Sequence, residues 1–348
     1  MNLFPQKVIT IGMIGMGNIS NIHVDAFRMR KDVHIKAISD SNQSLLLRKS
    51  GELDIAETYP DYRFMLNDPC IDVIDVMTPH SLHKQCVCDA LNAGKTVICE
   101  KPLATTLRDI DKIIRVSESK KKYVYIKQYL RYSTAYQKAL ELLEDNKIGT
   151  PYFIQCLFTG NSVKDYLSPL TWRGSTSQAG GGVFIDVGVH MLDLLQLYFK
   201  FPSALYMQSR RITASLPEKG EDFASAIIEF PNNLTVSISC THNDIGYKFR
   251  WEVRIYGRNG VITILDNGKQ EKQLHVIKEN KIVYEFTEID WWRQSNIRAL
   301  HDIINRILSH KSPPVSYLHA RSVIQTIRES YRSAKTGKRL FLNKTAQV

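Results

Sequence analysis

"KVITIGMIGMGNIS", residues 7–20, carries an apolar run with strand character into a glycine turn, and "NIHVDAFRMR" (21–30) continues it with helical spacing. A strand, a Gly15-x-Gly17 turn and a helix, in that order, open a βαβ unit. "VHIKAISD" (33–40) supplies the next strand and ends in Asp40. Farther along, "IDVIDVMTP" (71–79), "KTVICEKP" (95–102) and "YVYIKQYL" (123–130) read as strands. "SLHKQCVCDALNAG" (81–94) and the amphipathic "TTLRDIDKIIRVSESKKK" (105–122) read as helices between them. Strand and helix alternate at crossover length, which predicts an α/β fold with a doubly wound parallel sheet.

After about residue 150 the rhythm changes. "ASAIIEF" (224–230) and "LTVSISC" (234–240) alternate apolar residues around "PNN". "WEVRIYG" and "GVITILD" flank an Arg-Asn-Gly turn, and "LHVIKE" and "IVYEF" follow around "NK". These are hairpins of a large, mainly antiparallel sheet. "SNIRALHDIINRIL" (295–308) and "HARSVIQTIRESYRSA" (319–334) are closing helices. The expected division is a dinucleotide-binding Rossmann domain over 1–127 and a second α/β domain over 128–348. The C-terminal helices are candidates to pack back on the first domain.

At 348 residues, with 43% hydrophobic and 23% charged residues, the composition is that of an ordinary globular protein of two domains. No apolar run approaches the ~18 residues of a membrane helix. "MNLFPQKVITIG" lacks a charged segment followed by an apolar one, so a cytoplasmic location is expected. Six cysteines (Cys70, Cys86, Cys88, Cys99, Cys156, Cys240) follow no disulfide framework. His80, His83, Cys86 and Cys88 cluster, but a zinc knuckle needs a second ligand pair and none is suitably spaced, so no metal is expected. The net charge is +11, and residues 301–348 hold nine Lys/Arg against two Asp/Glu. No nucleic-acid-binding signature accompanies it. A solvated basic face, or a funnel for an anionic small molecule, accounts for the excess.

The glycine turn, Gly15-Met16-Gly17-Asn18-Ile19-Ser20, is a G-x-G-x-x-S version of the dinucleotide fingerprint. Gly15 permits the tight turn, and Gly17 lets a pyrophosphate approach the helix N-terminus formed by Asn18 and Ile19. Asp40, at a strand end 25 residues after Gly15, would accept hydrogen bonds from the adenosine ribose and repel a 2′-phosphate. Ser41 and Asn42 follow, and the first basic side chain is Arg48, so NAD is expected in preference to NADP. The strand "KTVIC" delivers Glu100 and Lys101 to the carboxyl edge of the sheet, where a lysine beside a nicotinamide polarises a substrate oxygen. Pro102 forces a turn there. Finally, "GGGVFIDVGVH" (180–190) puts Asp186 and His190 four apart, about 40° apart on a helix, with Asp193 three farther on. Such a stripe either satisfies itself in a core or faces a cleft.

"GMIGMGNISNIHVDAF", "VIDVMTPHSLHKQCVCDALNAGKTVICEKPLATT", "TWRGSTSQAGGGVFIDVGVHMLDL" and "VRIYGRNGVITI" together resemble the glucose–fructose oxidoreductase/inositol dehydrogenase/MocA family, from residue 8 to about 340. The paired motifs EKP and GGxxxDxGxH are far more specific than the glycine turn. The resemblance implies a Rossmann domain and a C-terminal α/β domain whose open sheet forms a homodimer or homotetramer interface. It implies NAD- or NADP-dependent oxidation or reduction of a ring carbon of a sugar, sugar derivative or cyclitol. It makes Lys101 the EKP lysine, Asp186 the motif aspartate and His190 the general acid/base, facing a cleft with the nicotinamide. It places Thr78, Pro79 and His83 near the cofactor and Trp172 and Arg173 beside the substrate. Ser20 for the third glycine, His80 for a more usual Asn, and "PNN" for "NG" are departures. Hydride removal from a secondary alcohol requires the O–H proton to leave as well, and an imidazole suits that task. Asp193 is expected either to support the site from behind or to be structural.

Two other readings remain open on the sequence. A dinucleotide-sensing regulator of this fold would tend to lose the lysine–histidine pair, which this chain keeps. An NAD-dependent glycosidase of similar architecture is not excluded. Arg173 and the net charge also raise an anionic substrate, for instance a phosphorylated or nucleotide-linked sugar.

Overall fold

A computed structural model of the chain describes residues 8–162, 171–213, 220–266 and 268–343. Residues 1–7, on which part of the leader-peptide expectation rests, lie outside them. The chain divides into two compact units: Met1–Tyr129 with Asn296–Tyr317, and Leu130–Ser295 with Leu318–Val348.

The first unit is built on strands β1 (Ile9–Ile14), β2 (Val33–Ser39), β3 (Glu57–Tyr59), β4 (Val73–Val76), β5 (Thr96–Glu100) and β6 (Val124–Lys127). They run parallel in the order β3-β2-β1-β4-β5-β6. Ile9, Ile11, Met13 and Ile14 of β1 are all buried, as befits a strand covered on both faces. Between them run α1 (Ser20–Arg28), α2 (Gln43–Leu53), α3 (Tyr62–Met65), α4 (His80–Asn92) and α5 (Leu107–Lys120). α5 buries Ile110, Ile113 and Val116 on one stripe. Asn42 caps α2 by accepting the Leu45 N–H, and Thr106 caps α5 through Asp109. The strand order reverses between β1 and β4, the point at which doubly wound sheets bind ligands outside the carboxyl ends of their strands.

The second unit begins with α6 (Thr134–Glu144) and β7 (Pro151–Gly160). α7 (Thr176–Ala179), one turn of π-helix (Phe184–Gly188) and α8 (Val189–Phe199) follow. Strands β8 (Ala204–Arg210), β9 (Phe223–Phe230), β10 (Leu234–Thr241), β11 (Phe249–Gly257), β12 (Gly260–Asp266), β13 (Glu271–Lys278) and β14 (Lys281–Ile289) come next. The chain closes through α9 (Trp291–Leu308), α10 (Tyr317–Thr336) and β15 (Leu340–Phe341). The nine-stranded sheet has the order β14-β13-β12-β11-β7-β10-β9-β8-β15. Among the described residues of this sheet only β7 and β10 pair in parallel; every other neighbouring pair is antiparallel.

The hairpins β9–β10, β11–β12 and β13–β14 lie where the apolar alternation puts them, with Leu234, Val236, Ile238 and Cys240 of β10 buried on one face. Asn232 and Asn233 of "PNN" take positive φ, 61° and 58°, which asparagine tolerates better than most residues. β7 and β8 are not located by the pattern. β7 carries Phe153 and Leu157 on one face and Ile154, Cys156 and Phe158 on the other, so it shows no polar alternation.

Two expectations change. Asp186 lies in a π-turn rather than a regular α-helix, so the simple i, i+4 geometry does not describe its relation to His190. Thr176–Phe199 is long and apolar enough, by length and composition, to cross a membrane, yet 78% of its most apolar window is buried inside the protein. Val189 to Gln196 of α8 are all buried, the mark of a helix running through a core. Asn296–Tyr317 belongs with the first unit because Ile297, Leu300, Ile303 and Ile304 join the core formed by Ile9, Met13, Val24 and Phe27.

Candidate active site

In the first unit the glycine turn crosses the end of β1. Gly15 has φ of 92°, and a Cβ there would come within 2.8 Å of the Met77 carbonyl oxygen, so any side chain is strained twice over. A Cβ on Gly17 would meet no protein atom within 4 Å. Gly17 and Asn18 are exposed and Ile19 half-buried at the start of α1, which has neither a side-chain cap nor an acidic residue in its first turn. Open space at Gly17 beside an uncapped helix start fits a pyrophosphate. Ser20 is fully buried, so the small residue is accommodated where a third glycine is common. The Asp40 carboxylate accepts the Met16 N–H at 2.8 Å through one oxygen and the Asn42 N–H at 2.8 Å through the other. Each oxygen retains a lone pair for a ribose hydroxyl.

Thr78 and Pro79 lie half-buried where β4 passes into α4. His83 is buried one turn into that helix, with Nδ1 2.7 Å from the Pro102 carbonyl oxygen and Nε2 2.9 Å from that of Thr78. The ring therefore braces the turns after β4 and β5 against each other, and burial holds its pKa below the ordinary histidine value. Cys86 and Cys88 are buried on α4, and among the described residues no group of three His, Cys, Asp or Glu side chains is placed to hold a metal.

Lys101 is half-buried just past β5, and the bond to Pro102 is cis. Glu100 points into the unit. Its Oε1 lies 3.0 Å from His23 Nε2 and 2.6 Å from Lys127 Nζ, while Oε2 accepts the Lys101 backbone N–H at 3.2 Å. His23 Nδ1 in turn stands 2.7 Å from Asp75 Oδ2, and Lys127 donates to Asn296 Oδ1 at 2.6 Å. Burial would raise the Glu100 pKa, but Lys127 and His23 hold it well below the ordinary carboxylate value. Burial would lower that of His23, but Asp75 and Glu100 prevail and raise it. The sequence marks Glu100 through its motif; it gives no such sign for His23, Asp75, Lys127 or Asn296.

In the second unit the three glycines have separate reasons. Gly180 caps α7 with φ of 84°. A Cβ on Gly181 would overlap the Tyr331 hydroxyl, and one on Gly182 would overlap the Glu221 backbone. The Glu221 carboxylate accepts the N–H groups of Gly182 (2.8 Å) and Phe184 (3.0 Å) and the Tyr331 hydroxyl (2.8 Å). Burial still leaves its pKa raised. This clamp fixes the entry to the π-turn that carries Asp186.

Asp186 Oδ2 lies 3.7 Å from Arg173 Nε, and the Arg173 guanidinium sits 5.0 Å from the Trp172 ring centre. Trp172, Arg173 and Asp186 are thus brought together. His190 is buried with its ring 6.2 Å from that of Trp251. His242, which the motifs do not mark, pairs its Nδ1 with Ser162 Oγ at 2.6 Å. Burial pushes its pKa down to about 4 against the pull of Asp186. Asp193 is bound by Arg131 through both oxygens (2.6 and 2.8 Å) and by His319 at 3.0 Å. Burial opposes its ionisation, but Arg131 and His319 keep its pKa low. It is a structural ion pair.

Two family models match the chain. Residues 9–128 match the GFO/IDH/MocA oxidoreductase family with its NAD-binding Rossmann fold, and 136–263 match the GFO/IDH/MocA C-terminal domain. Myo-inositol 2-dehydrogenase of Thermotoga maritima is 24% identical over 88% of this chain and 90% of its own. Levoglucosan dehydrogenase of Pseudarthrobacter phenanthrenivorans is 24% identical over 76% of each. A solved levoglucosan dehydrogenase in complex with NADH and L-sorbose superposes with a TM-score of 0.86 at 22% identity, covering 97% of this chain and 99% of that one. That likeness is one of fold.

Proposed function

The chain belongs to the GFO/IDH/MocA family of NAD-binding oxidoreductases, and we propose that it interconverts a secondary alcohol and a ketone on a sugar, sugar derivative or cyclitol. The observation that carries this reading is the built setting of the second motif. Glu221 and Tyr331 hold the π-turn, and Asp186 emerges from it beside Arg173 and Trp172, one turn before His190. π-turns within helices are often associated with functional sites.

The glycine turn and Asp40 would hold NAD, which would supply the acceptor for the hydride leaving the substrate carbon. His190 accepts the hydroxyl proton as the C–H bond breaks, so that the C–O bond becomes a carbonyl. The Lys101 ammonium stabilises the negative charge that develops on the oxygen. Asp186 orients the imidazole or binds a neighbouring hydroxyl. The relatives named for inositol and levoglucosan support a polyol or sugar as the substrate class.

The test is absorbance of NADH across a panel of inositols, free sugars, sugar phosphates and glycosides. Net NADH formation with a polyol or sugar is expected. Release of free sugar from a glycoside without net NADH would favour glycoside cleavage instead. NAD binding with no turnover of any panel member would favour a sensor.

A further inference from the structure

We propose that His23 is a positioning residue for Lys101: a doubly protonated imidazole that fixes the Glu100 carboxylate where it accepts the Lys101 backbone N–H. The proposal rests on the catalytic reading of Lys101 given above.

The geometry requires two donors on one ring. His23 is completely buried in α1, and each of its nitrogens faces a carboxylate oxygen, Asp75 Oδ2 at 2.7 Å and Glu100 Oε1 at 3.0 Å. An ionised carboxylate only accepts hydrogen bonds. A neutral imidazole would leave one ring lone pair pointing at a negative oxygen. An imidazolium satisfies both. The groups facing one another come from α1 (His23), β4 (Asp75), β5 (Glu100), β6 (Lys127) and α9 (Asn296). Two cations then balance two anions, with the Asn296 side chain taking the remaining Lys127 contact.

Four buried charges are a poor way to stabilise a core, because desolvation offsets their attraction and apolar residues of similar volume often do as well. Their placement suggests another purpose. Glu100 ends β5, Lys127 ends β6, and the two are register partners. Asp75 lies opposite Ile98, two residues before Glu100. The network therefore sits at the carboxyl edge of the sheet, directly behind Lys101. Held by both cations through Oε1, Glu100 presents Oε2 to the Lys101 N–H. On the other side of Lys101, the Pro102 carbonyl faces His83. The backbone that aims the lysine is restrained from both sides.

The test is a double-mutant cycle on the full chain with NAD, read as kcat beside thermal melts. His23→Gln is expected to fold and to lower kcat on the order of 10²-fold, the penalty typical of a reacting group misplaced by about 1 Å. In a Lys101→Met background the same change should lower kcat no further, since it acts through that lysine. An unchanged kcat in His23→Gln, or an equal loss in both backgrounds, would overturn the proposal. If His23→Gln does not fold, Glu100→Gln takes its place in the cycle with the same expectations. Independently, nitrogen NMR of the wild-type protein should find both His23 nitrogens protonated at neutral pH; a neutral tautomer would overturn the proposal. Wild-type kcat in Lys101→Met alone would instead refute the catalytic role of Lys101, a result that the NMR does not depend on.

Discussion

Asp40 is the single side chain on which we propose that cofactor choice turns. Its two oxygens are engaged by the N–H groups of Met16 and Asn42, which hold the carboxylate at the end of β2 beside the glycine turn. A 2′-phosphate there would meet a fixed negative charge, and neither Ser41 nor Asn42 offers a cation to neutralise it. NAD should therefore bind more tightly than NADP in calorimetric titrations, and equal or tighter NADP binding would contradict this. Asp40→Ala combined with Ser41→Arg should move the preference toward NADP. Gly15, Gly17, Asp40, Lys101, Asp186 and His190 could be picked out of the sequence because each belongs to a motif with local spacing. His23 could not. Its partners Asp75 and Glu100 stand 52 and 77 residues away, and nothing in an ordinary amphipathic helix marks a histidine as ionic. Glu221 and Tyr331 escaped for the same reason, since their contacts with the glycine run span 39 and 149 residues.

Strand β13 carries a side chain that its pattern does not lead one to expect inside. Lys272 is fully buried, with Nζ 3.3 Å from the centre of the Trp291 ring and 4.3 Å from that of Tyr136. No hydrogen-bond acceptor among the described residues reaches it. Burial pushes its pKa down to about 7, although Glu288 and Asp266 pull the other way. Between that pH and about 10 the unfolded chain holds a proton that the folded protein lacks, so this group makes stability rise with pH across the window. Below it both states are protonated and the penalty is constant. Lys272→Met should raise stability at pH 7 on the order of 1–4 kcal/mol and flatten that rise. Melting curves from pH 6 to about 10 check it, and an unchanged slope would contradict the assignment. Elements whose apolar period matched their environment were legible, the β9–β14 hairpins above all. The π-turn was not, because Phe184–Gly188 has the composition of any buried helix and its hydrogen bonding depends on Glu221 and Tyr331. β7 hid behind apolar residues on both faces.

Across the whole chain, the groups proposed to bind and react fall in different units. The glycine turn, Asp40 and Lys101 belong to the first, and Asp186 and His190 to the second. The sequence puts a domain boundary near residue 127, with the change of rhythm after about residue 150; the first unit's opening segment runs to Tyr129. The later return of Asn296–Tyr317 to that unit was harder to read. An amphipathic helix such as "SNIRALHDIINRIL" announces an apolar face without saying which core receives it; Ile297, Leu300, Ile303 and Ile304 answer that only in three dimensions. The proposal that His190 moves the proton in the hydride transfer is tested most directly by the kcat of folded His190→Asn. With a wild-type melting temperature and NAD affinity, kcat should fall by roughly 10²–10⁴-fold. A folded His190→Asn protein that turns over substrate at the wild-type rate would contradict it.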